Sequence, residues 1–122
     1  MVDDLGTHGS EPVDYPDIAA SVGRTVASGE ADAGIVIDGA GIGSAIAANK
    51  IPGVRAAVCH DQTMARYARQ HNGANVLSLG ATLIQPRDAL DIVNVWLSTP
   101  MTEARYVRRL AKIRSLEESN RR

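Results

Sequence analysis

Apolar residues recur along this chain in two rhythms. Ile18, Ala19, Val22, Val26 and Ala27 fit the stripe of an amphipathic helix, which Gly29 ends. Asp14-Tyr15-Pro16-Asp17 reads as the turn into it, with Pro16 or Asp17 near the first turn. Residues 34–37 form a short apolar strand, and residues 45–50 belong to a short helix closed by Pro52-Gly53. Residues 54–59 predict a second strand, residues 63–70 a helix followed by Gly73, and residues 76–79 a third strand ended by Gly80. Pro86 opens a helix to about Leu97, with Ala89, Leu90, Ile92, Val93 and Trp96 apolar; Pro100 breaks it. A last helix spans about 103–118 and is basic on one side. Residues 1–16, rich in Gly, Asp, Ser and Pro, read as loop.

Strands alternating with helices at this spacing predict βαβ units, a parallel sheet and right-handed crossovers. The expected class is α/β, a Rossmann-like three-layer sandwich. Its order is unusual, because no strand precedes the first helix. The pattern reads as that of an open α/β domain whose first βα unit is absent.

Composition narrows the reading. A chain of 122 residues fits one domain, 1–122, with 44% apolar residues to build its core. Aromatics are only 3% and Phe is absent, so Ala, Val, Ile and Leu must fill that core. A net charge of −1 gives no general pull toward nucleic acid or a membrane surface. The end of the chain differs, with Arg105, Arg108, Arg109, Lys112, Arg114, Arg121 and Arg122 against two Glu. The single cysteine, Cys59, cannot form an intrachain disulfide, so a reduced, cytoplasmic setting is expected. No apolar run approaches a membrane span, and no export signal is visible in the acidic Met1-Val2-Asp3-Asp4 start.

The candidate chemistry begins at Asp38. Gly39, Gly41 and Gly43 follow it at alternate positions, beyond the carboxyl end of a strand, where ligands of open α/β sheets bind. Glycines there let backbone N–H groups converge, and the following helix adds its positive end. Such a turn favours phosphate, carboxylate or a developing oxyanion; the plain alternative is a tight turn chosen for packing. A dinucleotide fingerprint competes, since Gly39-x-Gly41 fits and Asp61 lies near the required acid. However, the third glycine comes one position early, and Ser44 stands where a glycine or alanine belongs. A phosphate-binding Walker loop is excluded by the lack of Gly-Lys-Ser/Thr. Arg105 and Arg109 share a helix face at a spacing of four, and two guanidinium forks on one face suit a phosphate. Taken alone they also fit a solvated basic helix, and His71 alone also fits a capping or surface histidine. Together with His71-Asn72 and the glycine turn, they describe a small phosphorylated substrate, an anion nest and an acid/base residue.

These residues resemble a known family, the type B ribose-5-phosphate isomerases and the related galactose-6-phosphate isomerase subunits. The resemblance runs nearly the whole chain, through "DLGTHGSEPVDYPDIA", "GIGSAIAANKIPGVRAAVCHD", "ARQHNGANVLSLGA" and the R-x-x-x-R of Arg105 and Arg109. It implies aldose–ketose isomerisation of a sugar phosphate through an enediolate, with no metal and no cofactor. It also implies a homodimer or homotetramer with active sites between subunits, or a pairing with a full-length paralogue. Carried over by position, Tyr15, His71 and Asn72 line the sugar site, with His71 assisting ring opening. Gly39, Gly41 and Gly43 steady the enediolate oxygen, with Ser44 beside them in the substrate site. Arg105 and Arg109 bind phosphate and reach toward a partner subunit.

Two departures from the family pattern bear on the chemistry. Members open with a strand ending in an Asp-His pair, as in "S-D-H-A-G", and a helix; this chain is expected to lack that unit. A natural truncation, a misplaced start codon or a partner supplying the unit would each account for it. Secondly, Asp38 stands where many members carry the proton-transferring cysteine. Ser44 stands where some carry a glutamate, and Ala40 replaces a threonine. A carboxylate can shuttle a proton between adjacent carbons, so Asp38 is the candidate base; its alternative is a degenerate site. Cys59 is expected to be a packing residue. Two other functions remain open: a non-catalytic or partly catalytic subunit of a heteromeric sugar-phosphate isomerase, and a nucleotide-binding module.

Overall fold

The computed structural model describes residues 1–120, so Arg121 and Arg122 of the basic run lie outside the described residues. Among the described residues, five helices surround three strands. They are α1 (Tyr15–Ala27), β1 (Gly34–Asp38), α2 (Ile42–Ala48), β2 (Ala56–Val58), α3 (Gln62–Gln70), β3 (Val76–Gly80), α4 (Pro86–Ser98) and α5 (Ala104–Ser119). The sheet is parallel, in the order β1-β3-β2. Gly34 pairs with Val76 at one end of β1, and Asp38 with Gly80 at the other.

Every residue of β3 is buried, because helices cover it on both faces. Val76 joins Ala19, Val26, Val36, Ala48 and Val54 in a layer beneath α1 and α2. Leu77 and Leu79 point the other way, into a layer with Ala65, Ala68, Ile92 and Trp96 from α3 and α4. The period-two alternation of a strand thus divides one apolar run between two cores. Cys59 is 1% exposed in the second layer, as expected of a packing residue. On β1 the same alternation buries Val36, while Ile35 and Ile37 on the opposite face are exposed.

Most predicted elements lie within two or three residues of their observed ends, and two differences have physical causes. The strand expected over 54–59 pairs only at Ala56–Val58. Arg55 N–H is instead taken by the Asn75 side chain at 2.7 Å, which also donates to the Gly53 carbonyl at 2.9 Å. Helix α2 begins at Ile42, three residues earlier than the apolar pattern suggested. Gly41 turns the chain into it with φ of 80°, in the left-handed region that glycine tolerates. Among the described residues, no helix is long and apolar enough to cross a membrane.

The direction of the elements decides where the candidate residues go. In a parallel sheet the helices run back against the strands. Asp38, the glycine turn and the start of α1 therefore lie at the carboxyl end of the sheet, and the end of α3 lies at its amino end. Helix α5 stays at the amino end. Leu110 packs against Gly73, Tyr106 stacks on His71, and the Glu117 carboxylate accepts from Gly53 N–H at 3.0 and 3.1 Å.

Candidate active site

The sequence-predicted residues gather in two clusters. The first is built on the end of β1. Asp38 accepts hydrogen bonds from Gly41 N–H on Oδ1, and from Ser44 N–H (3.1 Å) and the Ser44 hydroxyl (2.6 Å) on Oδ2. Burial alone would raise this carboxyl's pKa. The Ser44 hydroxyl and the Gly41 and Ser44 N–H groups outweigh that effect and hold it below its ordinary value. The carboxylate is therefore ionised at neutral pH.

The turn is tied firmly to β3. Ser78, fully buried, donates its hydroxyl to the Gly41 carbonyl at 2.5 Å. Ala81 N–H reaches the Asp38 carbonyl at 2.8 Å, while Thr82 reaches the Gly39 carbonyl through its N–H at 3.0 Å and its hydroxyl at 2.6 Å. Space is tight on this side: a Cβ on Gly41 would lie 3.0 Å from the Leu79 carbonyl carbon, and one on Gly80 2.6 Å from the Ala40 oxygen. On the other side, Tyr15 lies over Gly43, where a Cβ would meet its ring at 2.6 Å. Gly41→Ala is accordingly expected to destabilise the fold by about 1–2 kcal/mol from its left-handed backbone alone. Gly39→Ala, with open space around the added Cβ, should stay within about 0.5 kcal/mol of the parent. Urea unfolding of the two variants checks the contrast.

Gly41 N–H is already committed to Asp38. The N–H groups of Gly39, Ala40, Ile42 and Gly43 have no acceptor among the described residues, so the turn keeps donors for an incoming anion. The sequence did not reveal that Ser44 points inward. It is 3% exposed, and its hydroxyl is used by Asp38.

The second cluster is at the end of α3. His71 caps that helix and lies between two tyrosine rings, Tyr67 at 4.6 Å and Tyr106 at 4.7 Å between centroids. The Tyr106 hydroxyl accepts from Arg105 at 2.8 Å, and the Arg105 guanidinium also lies 4.8 Å from the Tyr106 ring centre. Arg105 pairs with Glu103 at 2.7 Å on the surface. Asn72 and Arg109 are exposed. Sequence reasoning missed both tyrosines. Tyr67 stands one helical turn before His71, a spacing that places the two side chains on one face.

Within one chain the two clusters do not meet. They occupy opposite ends of a sheet whose longer strands have five residues, a span of roughly 15 Å. The geometry brings Tyr15, Asp38, Gly39, Gly41, Gly43 and Ser44 together at one end. At the other end it groups His71 with Arg105, and Asn72 is next to His71 in the chain.

A sequence profile described as ribose/galactose isomerase matches residues 1–113. The ribose-5-phosphate isomerase B of Escherichia coli (strain K12) is 43% identical over 115 residues, covering 94% of this chain and 77% of that protein. The Clostridium thermocellum ribose-5-phosphate isomerase B structure superposes with a TM-score of 0.95 at 50% identity, covering 98% of this chain and 80% of that one. The Mycoplasma genitalium ribose-5-phosphate isomerase B, solved with bound ribulose-5-phosphate, gives 0.90 at 37% identity, covering 94% and 77%. With a profile match over nearly its whole length and relatives this similar, the chain belongs to the ribose/galactose isomerase family.

Proposed function

We propose that this protein interconverts an aldose phosphate and its ketose isomer, of the ribose 5-phosphate to ribulose 5-phosphate type. The observation that carries the reading is the fixed carboxylate of Asp38 beside backbone donors that have no acceptor of their own. A base and oxyanion donors facing the same two carbons are what proton abstraction next to a carbonyl requires. Asp38 takes the proton from C2 of the open-chain aldose. The C–H electron pair becomes the C1–C2 double bond, and the carbonyl pair moves onto O1. Asp38 then returns its proton to C1 as the O2–H pair forms the new C2 carbonyl, and the O2 proton passes to O1, which becomes the C1 hydroxyl. His71 assists ring opening, Tyr15 and Asn72 line the sugar, and Arg105 with Arg109 holds the phosphate.

Because the two clusters lie at opposite ends of one sheet, the complete site is formed between two copies of the chain. The Asp38 cluster of one copy faces the His71–Arg105 cluster of the other. Exposed Leu90 and Leu97 on α4, and Val107, Ile113 and Leu116 on α5, offer apolar surface for self-association.

Exchange of the C2 proton of ribose 5-phosphate with deuterated water, followed by NMR, tests the activity. Exchange is expected with the parent chain; none with any pentose, hexose or tetrose phosphate would end the reading. Arg105→Ala and Arg109→Ala should each weaken sugar-phosphate binding by about tenfold to a hundredfold, as loss of a charge-assisted hydrogen bond does. Both positions are exposed, so the unfolding midpoint should stay near the parent's. Calorimetry with a pentose phosphate measures the first effect and thermal unfolding the second.

One observation favours a second reading, a subunit that binds substrate without turning it over. Three donors already hold Asp38, and they lower its affinity for a proton. Binding without exchange would select that reading.

A further inference from the structure

We propose that Ser44 is a positioning residue for the proton-transferring carboxylate: its buried hydroxyl fixes Asp38 and does not touch the sugar. This inference rests on Asp38 acting as the base. Ser44 is 3% exposed on the first turns of α2, so a substrate in the turn cannot reach its hydroxyl without moving the helix. Its oxygen lies 2.6 Å from Asp38 Oδ2, the one side-chain acceptor it has.

The arrangement does more than anchor the carboxylate. A carboxylate offers about four lone-pair directions. Gly41 N–H takes one on Oδ1, and Ser44 takes two on Oδ2 through its N–H and hydroxyl. One direction, on Oδ1, is left for a proton in transit. Ser44 thereby selects which oxygen acts as the base and fixes its orientation. Backbone donors alone would leave Oδ2 a free direction and a competing place for the proton.

The surroundings add no charge that would obscure this role. Helix α2 has no acidic or basic residue in its first or last turn, and Ala81 and Thr82 are what the loop after β3 presents to the turn. Tyr15 on α1 packs on Gly43 and is the titratable group over the turn. The Ser44 hydroxyl is also the strongest of the groups that hold the Asp38 carboxyl's pKa down.

The test titrates the Asp38 carboxyl carbon by NMR in the full chain, alongside the pH profile of C2 proton exchange on ribose 5-phosphate. In Ser44→Ala, the Asp38 titration is expected to move to higher pH and the acid limb of exchange to move with it. The rate constant kcat should fall while KM holds, because the sugar loses no contact. Ser44→Cys, nearly isosteric with a weaker donor, should fall between parent and alanine; it also serves if the alanine variant folds poorly. An unmoved Asp38 titration in both variants would overturn the inference. So would a raised KM with an unmoved acid limb, which would place the hydroxyl on the substrate. Asp38→Asn separates this inference from the reading beneath it. If that variant still exchanges, Asp38 is not the base, and Ser44 has no catalytic group to position. If it does not exchange and the Ser44→Ala acid limb stays in place, the inference about Ser44 alone fails.

Discussion

Asp38→Asn is expected to lower C2 proton exchange by at least about a hundredfold, the usual contribution of a positioned acid/base group. Sugar-phosphate affinity should change little. Asparagine keeps the size of the side chain, and its amide oxygen can still accept from the turn. The amide cannot take the proton from carbon. Asp38→Cys should recover part of the exchange, since a thiolate can serve as base at the same place. The parent's pH profile carries a further sign. Asp38 must be ionised to accept a proton, so exchange persists above its pKa and is lost as pH falls through it. Because the Ser44 and Gly41 donors overcome desolvation and depress that pKa, the loss should come below the ordinary value of 3.8. The same bonds contribute to fold stability fully above 3.8, and that contribution fades as the pH falls through the lowered value. An exchange profile whose acid limb lies well above 3.8 would show that another group controls it.

The sequence exposed the strands and the glycine turn clearly, because both obey local rules. An apolar run such as Val76–Gly80 reads as a strand wherever its neighbours lie. Asp38, His71, Arg105 and Arg109 were singled out by residue type and spacing, and the roles proposed for them rest on that. Three features were not legible, and each depends on backbone geometry or contacts that residue type and spacing do not display. The inward turn of Ser44 follows from the left-handed backbone at Gly41, which starts α2 early and rotates residue 44 toward β1. The grip of Ser78 on the Gly41 carbonyl links residues 37 positions apart. The column of Tyr67, His71 and Tyr106 joins two helices with no shared motif. The separation of the clusters, by contrast, was implicit in the pattern. Alternating strands and helices imply a parallel sheet, and in such a sheet the end of α3 lies opposite the end of β1. His71 and Asp38 of one chain were therefore bound to lie apart.

That separation predicts a gain of function from two losses. Asp38→Asn and His71→Ala should each be nearly inactive alone. Mixed, and allowed to exchange subunits, they should recover activity. In the two-fold dimer proposed above, each site would take Asp38 from one copy and His71 from the other. A mixed dimer therefore holds one site with both residues intact and one site with neither. If subunits pair at random, half the dimers are mixed and half their sites work, so exchange should return to about a quarter of the parent's rate per chain. The measurement is C2 proton exchange of ribose 5-phosphate in deuterated water, run on each variant alone and on the equimolar mixture after subunit exchange. Near-silence from each variant and recovery toward a quarter in the mixture is the predicted result. A mixture as inactive as its components, although mixed dimers are present by native mass spectrometry, would contradict a site shared between two copies.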